Sequence, residues 1–185
     1  PGDIYCLPVL TDDKALELLQ ILAPTVVAQH PDASVDLVHE LEGLPLALQV
    51  AGHLLNAELA YGFDVVRLLK ELREGAKLLA AKAPVDRGDL ASETTPTVAA
   101  LLQKSTDCLD ENTRECYAFL GAFAPKPATF DLDALKSVWL VEDPQPTVRA
   151  LVERGLLEPL GPTAPGRYQL HALLVLHARS LCRDA

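Results

Sequence analysis

Gly43-Leu44-Pro45-Leu46-Ala47-Leu48-Gln49-Val50-Ala51-Gly52-His53-Leu54-Leu55 sets a glycine and a proline two residues apart, directly before a long apolar run. Pro45 suits the first position of a helix, where its missing N–H would have had no intrahelical partner and its φ is already near the helical value. The chain therefore turns once at Gly43 and enters a helix of fixed orientation. Leu46, Ala47, Leu48, Val50, Ala51, Leu54 and Leu55 make that helix apolar on nearly every side, which predicts the buried central helix of its unit.

Upstream, Ile4 to Val9 reads as an extended lead-in, with Pro8 arguing against a central strand. Thr11 offers an N-cap hydroxyl and Asp12 and Asp13 place negative charge in a first turn. Ala15, Leu16, Leu18, Leu19 and Leu22 then form a helical apolar face ending near Pro24, and a second short helix starts near Asp32 or Ser34 and stops at Gly43. Downstream, Asp64 can cap a helix carrying Val65, Val66, Leu68, Leu69 and Leu72. The first 83 residues thus predict a bundle of four or five helices.

The stretch 83–95 lacks periodicity and is rich in breakers and cap formers, which places a domain boundary there, with residues 1–92 forming one unit and 93–185 a second. Pro96 opens a helix with Val98, Leu101 and Leu102, Asp110 caps another running through Tyr117 and Leu120 to Phe123, and shorter helices follow at 131–140 and 146–154, the last closed by Gly155. Trp139, Tyr117, Phe119 and Phe123 are assigned to the core. The period then changes: 156–160 and 167–170 read as two short strands around the turn Gly161-Pro162-Thr163-Ala164-Pro165-Gly166, and helical spacing resumes at His171. The fold class is mainly α, a helical bundle followed by a winged-helix domain with one short β-hairpin.

Composition excludes several functions. The formal net charge of −10, with 7 basic and 14 acidic side chains in residues 1–92 and 9 and 12 in residues 93–185, opposes contact with a phosphate backbone and makes nucleic acid an unfavoured partner. A DNA-binding winged helix is the alternative; it would have to rely on Arg149, Arg154 and Arg167, with Glu153 beside them. No apolar run is long enough for a membrane span and no signal segment opens the chain. The four cysteines, Cys6, Cys108, Cys116 and Cys182, form no C-x-x-C pair and fit free thiols of the cytoplasm. The absence of methionine and the start at Pro1 suggest a piece of a longer protein.

No phosphate-binding G-x-x-x-x-G-K-[ST] loop, magnesium-holding acid, G-x-S-x-G or H-E-x-x-H is present, so no catalytic residue and no metal site is expected and the isolated chain is not expected to be an enzyme. His171 and His177, six residues apart, fall on different helix faces; His30, His39 and His53 read as surface or boundary residues.

In order along the chain, the helix at 11–23, Gly43-Leu44-Pro45-Leu46-Ala47-Leu48, Leu102-x-x-Ser105-x-x-x-Leu109, Leu151-Val152-x-x-Gly155-Leu156-Leu157 and Tyr168-Gln169-Leu170-His171-Ala172-Leu173-Leu174 resemble the landmarks of the second half of the NB-ARC module of the signal-transduction ATPases with numerous domains. The resemblance covers almost the whole chain and implies the helical and winged-helix domains without the nucleotide-binding domain. It implies that Pro45 packs on the adenine of a nucleotide, with Gly43 and Leu44 shaping the approach. His171 takes the place of the Met-His-Asp histidine that reaches the β-phosphate of ADP. Leu170 replaces the methionine of that motif and Ala172 replaces its aspartate, which removes the acidic contact. ADP or ATP with magnesium is implied for the intact parent and no cofactor for the chain alone. The implied partners are an upstream nucleotide-binding domain and further copies of the parent.

Overall fold

The computed structural model describes residues 9–62, 64, 66–68, 70 and 96–183. The lead-in at 4–8 and the boundary segment at 83–95 lie outside them.

Among the described residues the part before the boundary contains α1 (Asp12–Leu22), α2 (Pro24–Gln29), α3 (Pro31–Glu40) and α4 (Pro45–Ala60), and residues 66–68 and 70 are also helical. Pro24 and Pro31 each occupy a first helical turn, so these prolines start helices as well as ending the pattern before them. That adds α2 to the sequence reading and moves the start of α3 to Pro31. Thr11 holds the cap position of α1 but its hydroxyl makes no capping bond. Asp64 does cap, its Oδ1 accepting from the Val66 and Arg67 amides at 2.9 and 3.3 Å.

Pro45 opens α4 as expected, and Ala47, Leu48, Val50, Ala51, Leu54 and Leu55 are all buried. The turn before it is left-handed at Glu42 and Gly43, and a side chain at Gly43 would place its Cβ 2.2 Å from the Leu10 carbonyl oxygen. The Gly43 carbonyl in turn accepts from the Leu10 amide at 2.9 Å, tying the start of the chain to the entry of α4. Gly43 is fixed by this close approach.

The second part runs α5 (Pro96–Asp107), α6 (Glu111–Phe119) with a 3₁₀ turn at Leu120–Ala122, β1 (Phe130–Asp131), α7 (Leu132–Trp139), α8 (Gln145–Glu153), β2 (Glu158–Pro159), β3 (Arg167–Gln169) and α9 (Ala172–Arg183). Asp110 and Asp131 cap α6 and α7, accepting from the Thr113 and Ala134 amides at 3.0 Å each. The predicted hairpin is present as β2 and β3, and β1 adds a third strand on the far side of β3, in antiparallel order β1-β3-β2. Two residues leave no period to read in β1; it is held by Arg167, whose guanidinium donates to the Thr129 hydroxyl and carbonyl and lies 3.6 Å from Asp131. Helix, strand, two helices, then two strands around a turn is the order of a winged helix.

One apolar cluster runs through both parts, from Ala15 and Leu19 through α4 and Leu101 to Leu156 and Ala178. Tyr117 is fully buried and donates to the Leu174 carbonyl at 3.1 Å; Trp139 donates to the Cys116 carbonyl at 2.7 Å. Phe123 stacks on Phe130 with ring centroids 4.2 Å apart. Phe119 departs from its core assignment and is 44% exposed. It follows Tyr117 by two residues, about 200° around α6, and so turns away from the side that the fully buried Tyr117 occupies.

Candidate functional site

The residues singled out in the sequence lie at the entry of α4 and at the start of α9, and of them His171 alone lines the space between these two elements. A cavity of about 230 Å³ lies between them, lined by Leu46, Gln49 and His53 of α4, by Glu158 of β2 and by His171. Spacings of three and four residues put Leu46, Gln49 and His53 on one stripe of α4. His171 faces that stripe across more than a hundred residues of sequence.

Each of the four residues has a definite place. Gly43 is buried and the space its missing side chain leaves is taken by Leu10. Leu44 is half-buried against the core. Pro45 is exposed at the head of α4 and outside the cavity lining, which begins one residue later with Leu46. His171 is half-buried and caps its own helix: Nδ1 accepts from the Leu173 amide at 3.2 Å, and the His171 carbonyl accepts from the Leu174 and Val175 amides.

The cap decides the chemistry of the ring. With Nδ1 used as an acceptor, the neutral imidazole carries its proton on Nε2. Burial pushes the His171 pKa below the ordinary imidazole value and the Lys126 charge pushes in the same direction, against an opposing pull from Glu158. At neutral pH His171 is therefore a neutral donor through Nε2–H, suited to one anionic oxygen. Lys126 and Glu158 form an ion pair, Glu158 also accepts from Gln169 at 2.7 Å, and the Lys126 amide donates to the Leu170 carbonyl at 2.8 Å, next to His171. The cavity is smaller than the roughly 300–1,000 Å³ of ordinary ligand pockets, and its lining carries the Glu158 carboxylate beside His171.

A second cavity, of about 920 Å³, lies further along α4, where His53, Ala57 and Tyr61 face Cys108 and the end of α8. Between the cavities Gly155 (φ +67°) is seated on α4, where an added Cβ would lie 3.0 Å from His53 Cδ2. Beyond it Glu58 Oε1 of α4 stands 3.4 Å from Arg154 Nη1 at the end of α8, each side chain 12% exposed. Sequence reasoning placed His53 on the surface or a boundary and gave no role to Glu58; no local signal joins Glu58 to a partner 96 residues away. Arg154, one of the cations a DNA-reading α8 would need, is engaged with Glu58, and Arg149 is left exposed. Among the described residues no group of three or more His, Cys, Asp or Glu is placed to hold a metal ion, and no helix is long and apolar enough to cross a membrane.

In sequence the chain matches plant disease resistance proteins and a bacterial regulatory protein. It is 32% identical over 148 residues to the disease resistance protein ADR1 of Arabidopsis thaliana, covering 76% of this chain and 16% of that protein. It is 29% identical over 184 residues to the regulatory protein AfsR of Streptomyces coelicolor, covering 94% of this chain and 16% of AfsR, and equally to AfsR of Streptomyces griseus. The chain is a distant homologue of disease resistance and regulatory proteins. No family model matches it. It spans 16% of the length of these relatives, and at 94% coverage the AfsR match takes in helices from both parts of the chain.

Proposed function

We propose that this chain is the regulatory portion of a nucleotide-gated signalling switch of the NB-ARC kind, with residues 1–92 as its helical domain and 93–185 as its winged-helix domain. The observation that carries this reading is the meeting of His171 with the Leu46–His53 stripe that Pro45 opens. A small cavity between the first turns of α4 and a neutral histidine donor is where the closed state of such a switch would bring a phosphate oxygen.

In the whole protein an upstream nucleotide-binding domain would supply the phosphate loop, the magnesium and the floor of the site, and any ATPase activity would be that protein's. Pro45, exposed and held rigid by the Glu42-Gly43 turn, would meet the base. Nε2–H of His171 would donate to the terminal phosphate oxygen of ADP, held in line by the Leu173 amide on the opposite nitrogen. Exchange for ATP would release the winged helix as a rigid body, in the cytoplasm, and expose surfaces for self-assembly. The resemblance to regulatory proteins and the tautomer of His171 both support this reading.

Two measurements test it. In the whole protein His171→Ala should speed ADP release by about tenfold or more, the loss of one hydrogen bond to a charged oxygen; an unchanged off-rate overturns the role of His171. The chain alone, without a phosphate loop, should show no ADP binding by calorimetry at micromolar concentration, and tight binding would overturn the division of the site between two domains.

A further inference from the structure

The contact of α4 with α8 and the wing is built unlike the rest of the molecule. Elsewhere the two parts share an apolar core, chiefly through α4 and α5. Along the outer stripe of α4 there is a cavity on either side of the His53–Gly155 contact, and His53 and Val152 line both. Missing neighbours forfeit dispersion contacts, so this junction lacks the close packing that makes a core cohesive. Across it stand the close seat of Gly155 on His53, a bond between the His53 ring and the Glu153 backbone, and the Glu58–Arg154 ion pair.

We propose that Glu58–Arg154 is a latch that fastens the end of α8, and with it the wing, to α4, and that its opening is the step by which the wing leaves the N-terminal helices. Both charges are largely removed from water and stand 3.4 Å apart, with the Cys108 thiol also beside Glu58, so neutralising one leaves the other poorly compensated in a half-dry junction. Arg154 is the last residue before the Gly155 turn that leads into β2, so its position sets where the wing begins. A latch of this kind is broken by local changes at the junction while the core through α5 keeps the two parts connected. It rests on the switch reading for its purpose only; the contact and its test concern this chain by itself.

The test is amide hydrogen exchange on the purified chain, comparing residues 153–158 with residues 15–29 of α1 and α2. Glu58→Gln and Arg154→Gln should each speed exchange at 153–158 by about tenfold or more and leave 15–29 within about threefold of wild type, while the charge-swapped double variant Glu58→Arg/Arg154→Glu should recover most of the protection. Unchanged exchange at 153–158 in both single variants overturns the latch. Equal acceleration throughout 15–29 overturns it too, since the pair would then hold up the whole fold. A swapped pair no better protected than the single variants also counts against it. ADP release from the whole protein reads the switch separately, so an unmoved off-rate with a latch that opens would fault the switch reading alone.

Discussion

At the scale of the residue, Gly43 and His171 show how far a local reading reaches. Gly-x-Pro before an apolar run announces a turn and a helix start, and both are present. The reason for the glycine is non-local: the Leu10 carbonyl occupies the position of its missing side chain. Gly43→Ala must therefore pay for a left-handed alanine and for a clash with backbone, and should lower unfolding free energy by more than about 2 kcal/mol in urea titrations. Gly161 provides the comparison, with a similar φ of +66° and nothing within 4 Å, so Gly161→Ala should cost only about 1 kcal/mol. Equal costs would show that the contact with Leu10 contributes nothing. His171 carries the same lesson in chemistry, since its tautomer follows from a bond to its own helix and its surroundings from α4 and Lys126.

At the scale of the element, the caps at Asp64 and Asp110 were legible and the threonine cap was not. Asp64 and Asp110 accept from amides two or three residues on, as does Asp131, which the spacing does not single out, whereas Thr11 sits in the cap position with its hydroxyl unused. Asp110→Ala should destabilise by about 1 kcal/mol and Thr11→Ala by a few tenths at most in chemical denaturation. The bond from Thr113 holds the Asp110 carboxyl below its ordinary range. Its contribution is thus present above the unfolded carboxylate pKa and is lost as pH falls through the lower folded value, so the gap between Asp110→Ala and wild type should close in strong acid. Helix α4 was recognised as apolar on nearly every side; the structure divides that surface into a face packed on α1 and α2 and a stripe turned to the wing. Hydrophobic periodicity could not separate the two, because apolar residues occupy nearly every side of the helix.

At the scale of the whole molecule, three half-buried histidines give stability a pH dependence. His53, His171 and His177 are each pushed below the ordinary imidazole value, in every case first by burial. Their neutral forms are favoured in the fold, so the unfolded chain binds more protons as pH falls through about 6.5. Stability should therefore decline from pH 7.5 towards 5.5 and level off below the folded values. Melting temperatures should follow that trend, and His53→Gln should make the decline shallower; a wild-type melting temperature that rises over this range, or an unaltered slope in His53→Gln, would contradict it. The net charge of −10 changes in the same interval, and the comparison with His53→Gln cancels that common effect.

The sequence by itself determined most of the helices, the caps at Asp64 and Asp110, the start of α4 at Pro45, and the change of period at the wing, because each is set by interactions within a few residues; α2 and the start of α3 at Pro31 are not read from it. It also carries the ordered landmarks that resemble NB-ARC proteins, and the homologues found are plant disease resistance proteins and a bacterial regulatory protein. Tertiary structure alone decided the two-residue strand β1, the outward turn of Phe119, the placing of His171 against the face of α4, and the Glu58–Arg154 pair. Such features depend on groups separated by some forty to more than a hundred residues, or on which side of a helix its neighbours cover, and neither leaves a mark in local spacing. The stretch from Gly43 to Leu55 spans the division: its helix follows from its own residues, and what its outer stripe meets is settled by the rest of the chain.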